Sequence, residues 1–130
     1  EESPAHKYCY RHQCEVTSTK VAELLGLKKG SYSTSFQSRV SILGKWLKPY
    51  TDKTVEKFAK SGVKELAIAT PAFVSDCLET LEEIGMEAAE DFEDNGGKKL
   101  HVIPCINDRE EWVNVLSRWI DEWAHLKVEK

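Results

Sequence analysis

The sequence predicts an α/β protein, a three-layer α/β/α sandwich built on a parallel sheet. Short runs at Tyr32–Gln37, Glu65–Thr70 and Leu100–Cys105 have the β-branched, aromatic or apolar character of strands. Segments with helical spacing of apolar residues lie between them. Strands joined by helical crossovers run parallel and place helices against the sheet.

With 130 residues the chain is one domain by size. Apolar residues make 41% and charged residues 31%, a globular rather than disordered balance. The net charge of −4 argues against a nucleic-acid partner or an anionic-membrane footprint. No apolar run approaches the roughly 18 residues of a membrane span, and no signal peptide is visible. The chain starts without Met, which predicts a segment of a longer protein.

Residues 1–12 are polar, carry His6 and His12, and are expected as a tail or loop; residues 13–130 form the folded unit. Val16, Val21, Leu24 and Leu25 give Gln13–Leu27 a helical face, and Gly26 marks its end. After the Tyr32–Gln37 strand comes a long connection, Arg39–Tyr50. Long connections are often functional. Trp46 and Tyr50 there suit either a wall for a flat ligand or packing under the loop. Thr51 or Asp52 is expected to cap a helix running to about Lys60.

The strand Glu65–Thr70 stops at Pro71, which has no N–H for a ladder. Ser75 or Asp76 can then cap a helix that continues to about Phe92 and breaks at Asn95-Gly96-Gly97. It carries Glu79, Glu83 and Glu87 at intervals of four. The row reads as a solvated helix face or as a guide for a cation at a strand's C-terminal end. Asn107 or Asp108 caps the last helix, whose Trp112, Val113, Leu116, Trp119, Ile120 and Trp123 are expected to pack into the core. No G-x-G-x-x-G, P-loop or nucleophile elbow is present.

Cys9, Cys14, Cys77 and Cys105 are scattered, without the tight pairs of a zinc ribbon. Cys9 and Cys14 with His6 and His12 are a thin basis for a closed metal site, which needs about four ligands. Reduced thiols in a cytoplasmic protein are the expectation.

Three stretches together resemble the C-terminal lobe of ferrochelatases, which insert Fe²⁺ into a porphyrin to make haem. They are Ser35-Phe36-Gln37-Ser38-Arg39-Val40 with Trp46-Leu47-Lys48-Pro49-Tyr50-Thr51, Phe73-Val74-Ser75-Asp76-Cys77-Leu78-Glu79-Thr80-Leu81, and Ile103-Pro104-Cys105-Ile106-Asn107-Asp108. The resemblance implies a chelatase-like lobe lacking its first strand, because the F-S-x-H segment with the family's principal histidine is absent. It implies a helix of π character after the S-D-x-x-E-T-L motif. By position Glu79 becomes the active-site carboxylate, and Glu79, Glu83, Glu87 and Cys77 the metal-side residues. Trp46, Gln37, Ser38 and Asp76 become the porphyrin-side residues. Cys77 stands where the family motif has histidine, as in a bacterial type, and a thiol is a poorer proton carrier near neutral pH.

The implied substrates are ferrous iron and a protoporphyrin or coproporphyrin, with no required cofactor. An iron–sulfur cluster occurs in some of the family, but these scattered cysteines do not establish one. The implied partner is the N-terminal lobe of the same protein, with peripheral membrane contact and self-association of the segment left open. Alternatives are a non-catalytic α/β interaction module and a chelatase for another metal and tetrapyrrole.

Overall fold

The computed structural model describes residues 4–40 and 44–128, so Ser41, Ile42 and Leu43 of the long connection lie outside the described residues. A 3-10 turn at Pro4–Tyr8 leads into α1, Tyr10–Leu24. The stretch expected as a tail is therefore helical from Tyr10 onward, and α1 stops at Leu24, with Gly26 in a left-handed conformation just beyond. Polar residues can still wind a surface helix, as the Arg11–Glu15 ion pair one turn apart illustrates.

Next come α2 (Thr51–Lys60), β1 (Glu65–Ala69), α3 (Leu78–Leu81), a π turn (Glu83–Glu87) and α4 (Ala88–Asp94). The order closes with β2 (Lys99–Ile103) and α5 (Glu110–Val128). β1 and β2 pair in parallel, with Leu66 opposite Leu100 and Ile68 opposite Val102. Those side chains meet α2 and α4 in a core of Val55, Ala59, Ala88, Phe92 and Leu100, with Phe92 fully buried. Burying a Phe side chain is worth roughly 1.5–3 kcal/mol, which makes this cluster the main anchor of the described fold. Lys57 and Lys60 in the last turn of α2 and Asp52 in its first complement the helix dipole.

Three expectations are corrected. Tyr32–Gln37 is not a strand: only a single parallel bridge joins Phe36 to Tyr50, through Phe36 N–H to Pro49 O and Thr51 N–H to Phe36 O. Half of the run is serine and threonine and Tyr32 stays exposed, so it has little apolar face to lay against a sheet. The described sheet has two strands, not three. Second, the residue before α2 is Tyr50. Thr51 lies inside the helix, buried, with its hydroxyl 2.9 Å from that of Ser35.

Third, the apolar face of α5 does not enter the core. Trp119, Ile120 and Trp123 are 52%, 64% and 58% exposed. Trp112 meets Trp119 edge-on at 6.0 Å, a contact within the helix. Periodicity shows that a face is apolar, but not which neighbour covers it.

Candidate active site

The C-terminal ends of β1 and β2 are sewn together by Asp76 and Asn107. Asp76 Oδ2 accepts from Asn107 Nδ2 at 2.8 Å, and Asn107 Oδ1 accepts from the Asp76 N–H at 2.9 Å. Asp76 Oδ1 takes the Thr80 hydroxyl at 3.0 Å, and the Cys77 N–H donates to Thr80 Oγ1 at 3.0 Å. Thr80 is completely buried, so this satisfies a polar group that would otherwise be costly. Asn107 first of all, and then Cys105, hold the Asp76 carboxyl below its ordinary range. Cys77, rather than Ser75 or Asp76, is the residue before α3.

Asn107 is not the cap of α5. It adopts a left-handed conformation, donates its N–H to Val74 O at 2.9 Å, and spends its amide on Asp76. Buried Cys105 is beside the same network, 3.5 Å from the Thr70 hydroxyl, and burial raises its thiol pKa.

From this knot α3 runs into the π turn, where Glu87 N–H reaches back to Glu82 O at 3.0 Å. The turn forms one wall of a cleft of about 540 Å³ that includes Glu79, Glu82, Glu83, Glu87 and Asp91. The opposite wall is Phe36, Gln37, Ser38, Arg39 and Tyr50, with the Arg39 guanidinium 4.7 Å from the Tyr50 ring centre. Glu79 is exposed at the rim, and the Cys77 thiol and its own backbone N–H hold its carboxyl below the ordinary value.

Three hydrogen bonds from Gln37 and Ser38 tie the walls, and a fourth holds Trp46 to Gln37. Gln37 Nε2 donates to Glu79 O at 2.8 Å. The Ser38 N–H and hydroxyl donate to the two Glu83 oxygens, each at 2.7 Å. Trp46 Nε1 donates to Gln37 O at 3.1 Å, with Trp46 39% exposed.

The predicted residues thus fall into two groups. Glu79, Glu83, Glu87, Gln37 and Ser38 line one cleft, and Trp46 is bonded to it through Gln37. Asp76 stands behind it, occupied by Thr80 and Asn107. Among the described residues, no three His, Cys, Asp or Glu side chains gather as a metal-holding group. The carboxylates form an open row rather than a cage, and the cysteines do not gather either. Glu82 and Asp91 line the cleft as well: Asp91 is the next member of the i, i+4 row beyond Glu87, whereas Glu82 lies off that row and is brought in by the π turn. Spacing around a π turn sets residues at a different angle.

Comparison with known proteins identifies the family. The family model described as Ferrochelatase matches residues 2–124. A ferrochelatase of Pseudomonas putida is 50% identical over 109 residues, 84% of this chain and 32% of its own length. A ferrochelatase of Rhizobium johnstonii is 53% identical over 111 residues, 85% of this chain and 31% of its own. The chain therefore spans about a third of the curated relatives it matches. Matched by that family model over nearly its whole length and about half identical to these relatives, this chain belongs to the ferrochelatase family.

Proposed function

We propose that the chain is the acidic, metal-side part of a cytoplasmic ferrochelatase that inserts Fe²⁺ into protoporphyrin or coproporphyrin. The cleft between the π turn and the Gln37–Ser38 wall carries this reading. Iron is the substrate, and the reading requires no resident cofactor. Oxygen ligands suit the handling of a hydrated divalent ion, and an open row holds it weakly enough to let it leave. Metal insertion displaces the pyrrole N–H protons, which need an acceptor near the ring. Glu79, exposed on the cleft, is that acceptor. Glu83 and Glu87 continue the row behind it, and Trp46 supplies a flat apolar surface for the macrocycle.

Other parts of the full-length protein complete the cleft and supply further proton-handling groups, so the chain alone is inactive. In the whole protein they also cover the apolar face of α5. The deciding experiment is Glu79→Gln in the full-length enzyme, which removes the charge and keeps the shape. Loss of an acid–base group lowers kcat by about a hundredfold or more. Turnover near that of the parent enzyme would remove Glu79 from the mechanism.

A further inference from the structure

We infer that Glu83 is a positioning residue that locks the Gln37–Ser38 turn, and through it Trp46, onto the π turn. The inference deepens the proposed site and rests on it for its relevance to metal insertion. Sequence spacing groups Glu83 with Glu79 and Glu87 as metal-side carboxylates. The geometry separates them. Among the described residues Glu79 and Glu87 have no side-chain tie to the opposite wall, whereas both Glu83 oxygens are engaged by Ser38, one by its N–H and one by its hydroxyl, at 2.7 Å each. Short bonds to an ionised acceptor are the strong ones.

Ser38 has φ of 59°, a left-handed conformation uncommon outside glycine, asparagine and aspartate. Such a conformation persists where surrounding contacts over-determine it. Glu83 is the first residue of the π turn, so the tie also fixes where that turn begins. The neighbouring bonds extend the lock: Gln37 donates to Glu79 O, and Gln37 O accepts from Trp46 Nε1. The Glu83 carboxylate, with the Gln37–Glu79 O bond beside it, thereby sets the distance between the acidic row and the tryptophan.

The Trp46 indole N–H reports on this lock directly. Its signal in a ¹⁵N-labelled sample of the chain is assigned by its loss in Trp46→Phe, and its hydrogen exchange is then timed. Glu83→Ala should speed that exchange about tenfold or more, while Glu90→Ala, which removes a carboxylate from the exposed side of α4, leaves it within twofold. Ser38→Gly in the Glu83→Ala background should recover much of the protection, because glycine takes positive φ without a Cβ penalty. General loosening of the fold would not be rescued in that way.

Exchange unchanged in Glu83→Ala, or accelerated equally by Glu90→Ala, would overturn the inference, as would failure of Ser38→Gly to rescue. If Glu83→Ala does not fold, Glu83→Gln is read instead, with at least threefold faster exchange expected and no change counting against the lock. The measurement uses neither iron nor porphyrin. A locked Trp46 in a protein that fails to insert metal would sink the proposed function and leave the lock standing.

Discussion

Asp76, Glu79 and Glu83 lie within two turns of chain, and their hydrogen bonds give each a different task. Asp76 is consumed by Asn107 and Thr80 and ties two strand ends together. Glu83 is consumed by Ser38, and Glu79 keeps its carboxylate at the rim of the cleft. Away from the site, Glu56 shows how hydrogen bonds from two lysines tune a surface group. Lys60 first, and then Lys53, hold its pKa at about 2. A depressed carboxyl contributes stability above its unfolded pKa and loses it as pH falls through the folded value. That window runs from about 4.3, the ordinary Glu value, down to about 2. Carboxyl NMR should find Glu56 titrating well below the other glutamates. Lys60→Gln should move it upward, and high salt should do the same because the pairs are exposed to screening ions. An ordinary titration in the parent chain would mean that the two lysines do not stay paired in solution.

At the scale of the elements, Gly97 in the turn after α4 is required by Phe92 rather than by backbone freedom. A Cβ at Gly97 would stand 2.4 Å from the Phe92 ring, which is fully buried and has nowhere to move. Gly97→Ala should therefore destabilise the chain by about 1–3 kcal/mol, the range for overpacking a core. In the π turn the same test has the opposite sign. A Cβ at Gly85 meets only Thr80 O at 3.5 Å, an ordinary contact. Alanine is favoured over glycine in helices by up to about 1 kcal/mol, so Gly85→Ala should be neutral or stabilising. Urea melts of the two variants decide both points, and a loss at Gly85 equal to that at Gly97 would mean that the π turn itself needs glycine.

At the scale of the molecule, the described chain leaves two surfaces of the kind that pair with other chains. Among the described residues β1 has one ladder partner, β2, so its other edge is open, and α5 exposes Trp119, Ile120 and Trp123 on an apolar face. Open edges and large apolar patches promote association. Sedimentation velocity of the chain should show mass rising with concentration, and Ile120→Glu should reduce it. A monomer at every concentration would show that these surfaces do not drive association.

Much of this was legible in the sequence because it follows from local chemistry. Pro71 ends a strand, Gly62 and Gly96 lie beyond helix ends, and the 3.6-residue spacing of α2 and α4 marks their apolar sides. The S-D-x-x-E-T-L motif and its flanking segments carried the family resemblance and the carboxylate row. What remained depends on partners distant in the chain. Tyr32–Gln37 had strand composition but no ladder to join, and α5 had a core-like face but no core beneath it among the described residues. Asn107 resembled a helix cap, yet its amide is better satisfied by Asp76, 31 residues earlier. Glu83 looked equivalent to Glu79 until folding placed Ser38, 45 residues earlier, within hydrogen-bond reach of both its oxygens. Composition and spacing determine which residues can bury, turn or ionise; only tertiary structure decides which distant donor each carboxylate meets, because hydrogen bonding depends on position in space and not on separation along the chain.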